Sequence, residues 1–497
     1  GIGKDKIKCP TYDFDKIMAM KYPGPKKAGY NLLAGENFKG MTPRCTNTKS
    51  NVFFHTAMVF LRIITLSRRY IDRTQGRDYA VLRIFRFFMK NFPVPISKMS
   101  IKTEVRQPGE SPDKLRLFFI VGFLHYIIAK VLCEPLHDYI SCKGSCGLGF
   151  KWTGGGAFQL WDYLKGDEKG RRFMYFDVSS KDQKFKSADI ADLLSVVALI
   201  YEEDESPNSI ITSALIKWLI QHTAYHVVNW PGGFRLAVGT LFSGDYNTSV
   251  LNTLHMIVLI NSFLVAESRL NPLVWNSWKD GRFRFTANGD DVVLSASREL
   301  AYLMEKLPIY LDGCGQQVKE SATGYSDRLD ADFSAEGHLL PNQGTPIKFL
   351  KRYFVKRGGN ILPMRPTSDY YYRLTVTANV LRNPVDYFSK VVGLLLDTMA
   401  VNDYAYCMLL QLMRNVYRLN ESRFVAHALE ESMMDNNFLY TRLVKMGLVT
   451  IKPGNVYFLA LDYAQLLSFV VGERMDLDDC AYDIRNVSLR PMRENAY

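Results

Sequence analysis

The sequence predicts an α+β fold, with antiparallel strand pairs in its middle and helices towards its C-terminal end. Three observations carry this reading. Residues 282–295 read Arg-Phe-Arg-Phe-Thr-Ala-Asn-Gly-Asp-Asp-Val-Val-Leu-Ser. Two strand-forming runs meet there at Asn288-Gly289, a dipeptide that favours a tight turn because both central residues take positive φ. Residues 173–178, Phe-Met-Tyr-Phe-Asp-Val, form a short apolar strand ending at Asp177, which Ser179-Ser180-Lys181-Asp182 breaks before a helix from about Ser187 to Tyr201. From Pro384 onward the chain reads as mostly helical, in segments near 384–420, 423–447 and 456–473.

A length of 497 residues implies several subdomains, and a hydrophobic content of 47% excludes a disordered chain. The excess of 62 Lys and Arg over 50 Asp and Glu, a net charge of +12, points to a polyanionic partner. Basic residues crowd Lys21–Lys27, Arg68–Lys90 and Lys98–Arg116, often beside aromatics, as expected for nucleic acid. Eight cysteines at irregular spacing do not form a disulfide framework, so a reducing, intracellular setting is expected. Cys133, His137, Cys142 and Cys146 have zinc-ligand chemistry but lack the paired two-residue spacing of common fingers, which leaves zinc as an open alternative. The most apolar stretches, Leu115–Val131 and Val250–Ala266, carry His125, Lys130, Asn252 and His255, so they read as buried helices and not membrane spans. The first residue is Gly1, as expected of a segment released from a precursor or of a trimmed sequence, and no signal-peptide pattern follows it.

Taken in order, residues 1–50 are rich in Pro, Gly and Lys and read as loops, and residues 51–92 read as basic amphipathic helices. Lys102–Arg106 and Lys114–Arg116 then form two basic strands joined by a loop with Pro108, Gly109 and Pro112. The glycines of 144–156 lack the Walker pattern and are expected to make a flexible connection. Ser243-Gly244-Asp245 starts a long helix on which Thr248 and Asn252, four apart, share one face. A helix over about Ser297–Leu307 precedes Gln316-Gln317-Val318-Lys319, and Ile347–Phe354 reads as a further hairpin strand. The stretch after Arg474 lacks helical periodicity and reads as a polar tail.

The chemistry gathers at the acids. Asp290 and Asp291 on a rigid bend repel each other unless a cation neutralises them, and hard divalent ions take such oxygen ligands. Nucleotidyl transfer by two metal ions needs carboxylates from separate strands holding ions about 3.5–4 Å apart, which Asp177 and Asp290 can supply. Positive charge around the transferring phosphoryl group can come from Arg106, Lys114 and Arg116.

At these residues the chain resembles the RNA-dependent RNA polymerases of positive-strand RNA viruses. The resemblance spans roughly residues 100–355 and follows that family's motif order. The first motif appears as Asp177 and Asp182, the second as Ser243, Gly244, Thr248 and Asn252, and the third as Gly289-Asp290-Asp291. Lys319 falls at the fourth-motif lysine, and Phe349-Leu350-Lys351-Arg352 looks like the primer-gripping fifth motif. The second and third motifs look tombusvirus-like, whereas Phe349–Phe354 looks like the picornavirus and calicivirus type. The basic pair around Pro108 departs from the pattern through a longer loop, which puts in doubt which of its residues meets which phosphate.

The resemblance implies a closed right hand: fingers in residues 1–170 with an insertion at 195–238, a palm in 171–194 and 239–354, a helical thumb in 355–475 and a C-terminal tail in 476–497. It implies template-directed RNA synthesis, adding ribonucleotides from their triphosphates to an RNA 3′ hydroxyl with two Mg²⁺ or Mn²⁺ ions on Asp177, Asp290 and Asp291. Lys319 would protonate the leaving pyrophosphate. Nucleotide contacts would fall to Arg106, Lys114, Arg116, Asp182, Ser243, Gly244, Thr248 and Asn252, with Asp182 and Asn252 reading the ribose 2′ hydroxyl. The resemblance permits the tail to occupy the product channel during unprimed initiation; the alternative is a surface strap or a disordered end with no catalytic part. The implied partners are an RNA template, the nascent strand, ribonucleoside triphosphates and other viral replication proteins, in replication complexes of the host-cell cytoplasm. Two alternatives are a reverse transcriptase, disfavoured by the polar sugar-reading residues, and a non-catalytic RNA-binding scaffold, disfavoured by the retained carboxylates.

Overall fold

The predicted strand 173–178 is a continuous apolar run, and the structure packs both of its faces. The computed structural model describes residues 6–20, 49–72, 74–101, 117–141, 144–166, 170–179, 181–230, 232–242, 244–341, 344–376, 384–398, 401–419, 449–452 and 455–458. The N-terminal part is helical, with α1 (Phe14–Met18), α2 (Lys49–Ser67) and α3 (Arg77–Asn91). Strands β1 (Ile96–Ile101) and β2 (Leu117–Ile120) follow and pair antiparallel. The basic halves 102–106 and 114–116 lie outside the described residues. Next come α4 (Phe123–Ile140) and α5 (Gly156–Lys165), then β3 (Arg172–Val178), α6 (Ser187–Leu199) and α7 (Pro207–Ala224). Apolar faces of α2, α3, α4, α6 and α7 close one large core around Phe53, Phe60, Phe88, Ile127, Leu215 and Trp218.

The expected insertion contributes a hairpin to the sheet that β1 and β2 begin. Strands β4 (Tyr225–Trp230) and β5 (Gly233–Val238) form a hairpin, and β4 lies parallel to β1, giving the order β2-β1-β4-β5. The long helix α8 (Thr248–Leu270) comes next and packs with α9 (Pro272–Lys279). By length and composition α8 could cross a membrane, yet Met256, Ile260, Phe263 and Leu264 are buried against the second sheet.

That second sheet has the order β6-β7-β3-β8, from β6 (Phe283–Asn288), β7 (Asp291–Ala296) and β8 (Val318–Ser326), all antiparallel to their neighbours. Strand side chains alternate faces. Met174, Phe176, Val292 and Leu294 therefore pack under α8 and α10 (Tyr302–Gly313), while Phe173 and Val293 pack with Leu160 and Trp161 of α5. The helix expected to end near Leu307 begins as a 3₁₀ turn at Arg298–Leu300 and α10 runs through Pro308 to Gly313, because Leu303, Leu307 and Leu311 keep an apolar face on the sheet. The glycine stretch 144–156 is not the free connection its composition predicts. Gly147 N–H donates to Ala287 O at 2.8 Å and Ala287 N–H to Ser145 O at 3.0 Å, so the segment docks along β6 and satisfies that edge.

A third sheet, β11-β10-β9, is built from β9 (Lys348–Phe349), β10 (Arg352–Arg357) and β11 (Asn360–Met364). Helices α11 (Thr367–Thr375), α12 (Pro384–Asp397) and α13 (Asp403–Leu419) follow, as the periodicity predicts for 384–420. The segment expected to be helical from 456 instead starts within β13 (Asn455–Phe458), which pairs with β12 (Val449–Lys452) in a hairpin whose Val449, Ile451, Val456 and Tyr457 are strand formers. Residues 423–447, the remainder of 456–473 and the tail lie outside the described residues.

Candidate active site

Asp177 stands at the last turn of the pleat in β3, and its ladder partner in β7 is Asp291. Both share strand parity with residues on the α5 face, Phe173 and Val293, so the two carboxylates project from the same side of the sheet. The hairpin between β6 and β7 is displaced by one residue from the turn that Asn288-Gly289 implied. Asn288 pairs with Asp291, which leaves Gly289 and Asp290 as the two central residues. Only Gly289 has positive φ, 68°, the pattern of a II′ turn with glycine first, and this puts Asp290 at the tip beside the other two acids.

Electrostatics record the crowding. Burial, then the charges of Asp290 and Asp177, push the Asp291 carboxyl up to about 6 against the opposing pull of Lys348 and Lys351. Asp290 retains solvent access at the tip, but partial burial and the charge of Asp177 also raise it, with Lys319 acting the other way. Asp177 Oδ1 is buried without a hydrogen-bond partner, while Oδ2 accepts from Lys319 Nζ. An orphaned carboxylate oxygen beside two acids whose carboxyls are pushed up by burial and mutual repulsion is an oxygen-donor set suited to Mg²⁺ or Mn²⁺. Among the described residues no three His, Cys, Asp or Glu side chains converge tightly enough to enclose an ion by themselves. The Lys319 side chain, bonded to Asp177, supplies part of the missing positive charge.

Under the site lies a residue that sequence reasoning passed over. Lys181 is 2% exposed and its Nζ has no hydrogen-bond partner. Burial lowers its pKa to about 7, and the charge of Asp290 opposes that shift. Its position between Asp177 and Asp182 was the available signal. Asp182 sits on the 3₁₀ turn Lys181–Gln183, which packs against α8 and is tied to the following loop by Leu241 N–H donating to Asp182 O at 2.9 Å.

On α8 the predicted face divides into two roles. Thr248 spends its hydroxyl on the backbone, donating to Phe242 O and, at 3.0 Å, to Asp245 O, so it holds the helix start. Asn252, one turn on, keeps a buried Oδ1 without a partner, an atom available to a ligand. Ser243 lies outside the described residues. Gly244 is required by packing: a Cβ there would lie 2.0 Å from Phe119 O. Asp245, not singled out for any role from sequence, is a structural acid. Burial disfavours its charge, but the imidazole of His125, bonded Nε2 to Oδ2 at 2.7 Å, holds the carboxyl below its ordinary range.

No protein-family model matches the chain, and no curated protein sequence does. Solved structures do. One is the crystal structure of an insertion-loop deletion mutant of the RNA-dependent RNA polymerase of a human picorbirnavirus, with a TM-score of 0.50 at 14% identity over 71% of this chain. Another is the Sicinivirus 3Dpol RNA-dependent RNA polymerase, with a TM-score of 0.47 at 15% identity over 67% of this chain and 68% of that one. The first of these carries the assignment. The chain has a viral RNA-dependent RNA polymerase fold. It spans 64% of the picorbirnavirus polymerase, less than two thirds of that chain.

The β9–β10 turn carries the four residues expected to grip a primer. Phe349 is 1% exposed and packs with Trp152 and Phe354, and Arg352 is 3% exposed, bonded through Nη2 to Asp397 O at 2.8 Å and to Asp397 Oδ1. Both are held inside: Phe349 packs the hairpin against Trp152 and Phe354, and Arg352 ties it to α12. Leu350 and Lys351 form its two-residue turn, with φ of 45° and 63°. Two non-glycine residues in the left-handed region carry strain of order 1 kcal/mol each, and that strain aims the exposed Lys351 so that its charge reaches Asp291. The zinc alternative gains nothing among the described residues. Cys133 is buried in the helical core with its thiol pushed far up by burial, and His137 bonds Asn247 Oδ1 at 3.2 Å and stacks on Tyr246. Cys142 lies outside the described residues.

Proposed function

We propose that this chain is a template-directed RNA polymerase that adds ribonucleotides to an RNA 3′ hydroxyl during viral RNA replication. The observation that carries the reading is the opposition of Asp177 and Asp291 across β3 and β7, with Asp290 at the adjoining turn, in a polymerase fold. Asp177, Asp290 and Asp291 would hold two divalent ions, Mg²⁺ or Mn²⁺, which when bound activate the attacking hydroxyl and neutralise the leaving pyrophosphate. Lys319 begins bonded to Asp177 and is freed for the leaving group once that carboxylate is otherwise neutralised, so the same amine serves the empty and the loaded site. Asn252 Oδ1 and the Asp182 carboxylate receive the ribose 2′ hydroxyl, Lys351 lies beside the primer end, and Arg106, Lys114 and Arg116 meet the triphosphate.

In this reading the helical core and β2-β1-β4-β5 are the fingers, the β6-β7-β3-β8 sheet is the palm, and α12 and α13 open the thumb of a closed right hand. The surplus of basic residues attracts template and nascent RNA, and the setting is a replication complex in the host-cell cytoplasm with other viral replication proteins. The test is primer extension on a defined RNA template with Mg²⁺ or Mn²⁺. Template-complementary incorporation of ribonucleotides is expected. Wild-type protein that incorporates nothing under either ion, with or without a primer, overturns the reading.

A further inference from the structure

The acid-bearing turn is held from two sides. From below, Asn288 Nδ2 donates to Gly147 O at 2.8 Å, on the segment docked along β6. From the helix side, the Gly289 N–H donates to Thr253 Oγ1 at 2.8 Å, and the Thr253 hydroxyl in turn donates to Ser249 O at 2.8 Å. Thr253 is fully buried, and its chain neighbour Asn252 presents the unpartnered Oδ1. A two-residue turn with one left-handed glycine has few bonds of its own, so an acceptor on a rigid helix decides where its first peptide sits.

We propose that Thr253 is a positioning residue that fixes the Asn288-Gly289 peptide against α8 and so holds the following Asp290 in register with Asp177 for divalent-ion binding. Its part in synthesis rests on the polymerase reading above. Valine in its place keeps the shape of threonine but offers no acceptor, which leaves the Gly289 N–H without its partner. Serine keeps the acceptor and loses only a methyl group. The same helix would then link sugar recognition to metal geometry, because Asn252 and Thr253 move together when α8 shifts.

The experiment measures Mn²⁺ affinity by electron paramagnetic resonance, with Mn²⁺ alone as the probe, alongside thermal melting and steady-state primer extension for wild type, Thr253→Val and Thr253→Ser. For Thr253→Val the expected result is Mn²⁺ affinity weakened by about tenfold or more and kcat lowered comparably, with nucleotide KM changed less than about twofold. Thr253→Ser is expected to restore both. A valine variant that melts earlier yet binds Mn²⁺ and turns over as wild type does would show a packing role only and overturn the proposal. Failure of serine to restore Mn²⁺ affinity would overturn it as well. Wild-type protein that binds Mn²⁺ but extends no primer would sink the polymerase reading while the metal-binding comparison still decides the role of Thr253; wild type that binds no Mn²⁺ overturns both.

Discussion

Asp245 and the acids of the β6-β7-β3-β8 sheet are treated in opposite ways by one fold. Asp245 is fully enclosed, bonded to His125 and to the Asn247 N–H at 2.9 Å, and its carboxyl is held below the usual range. Asp290 and Asp291 are less enclosed, face another acid and are both raised. A carboxylate given a partner within the chain is spoken for and serves the fold. Carboxylates placed opposite each other, short of positive charge, retain an unmet demand that a ligand can satisfy, and the demand is confined to the turn where three strands of sequence meet.

The sharpest way to break this comparison is to remove one acid from each set. Asp290→Ala or Asp177→Ala is expected to reduce nucleotide incorporation to background while the metal-free melting temperature holds or rises, because repulsion is relieved. Asp245→Ala should do the reverse at the level of folding, lowering stability by about 3–5 kcal/mol in denaturant titration by leaving His125 buried without its partner. Comparable destabilisation by both substitutions would erase the distinction.

Lys181 tests the intermediate case, a buried charge with neither a chain partner nor a ligand. Its folded pKa, about 7, lies below its unfolded value of 10.5, so the cost of burying the charge is fully present below pH 7 and fades as pH rises through the interval. Lys181→Met should therefore stabilise metal-free protein, most at about pH 6 and least at about pH 10. A pH-independent gain would mean that side-chain shape, and not charge, sets the effect.

Sugar selection is expected to change less. Asn252→Ala should narrow the preference for ribo- over deoxyribonucleotides by about tenfold or more, since a site built to bond a hydroxyl loses that discrimination with its partner. An unchanged ratio of incorporation would place Asn252 away from the sugar. The smallest effect expected is on proton linkage. Asp291 is raised from 3.8 to about 6, so the folded chain keeps a proton that the unfolded chain has lost, and metal-free stability declines as pH rises through that window. The gain in melting temperature on adding Mg²⁺ should correspondingly be slight at about pH 5 and full by about pH 7.5; an equal gain at both would contradict the crowding of the acids.

Much of this was legible in residue order because the decisive signals are local. The strand 173–178, the hairpin with its glycine, the acids at both and the helix carrying Asn252 each follow from side-chain alternation, turn chemistry or helical spacing over a few residues. Tertiary structure alone decided which of those polar groups are free. That β3 lies beside β7, so that Asp177 meets Asp291, depends on a pairing more than a hundred residues apart in the chain. The bonding of Arg352 to Asp397 and the docking of Gly147 on β6 likewise depend on partners from distant elements. A sequence states which side chains can bond. Whether a bond is already taken within the chain is settled by packing, because a buried polar group without a partner is costly and the fold supplies one wherever a ligand is not to be received.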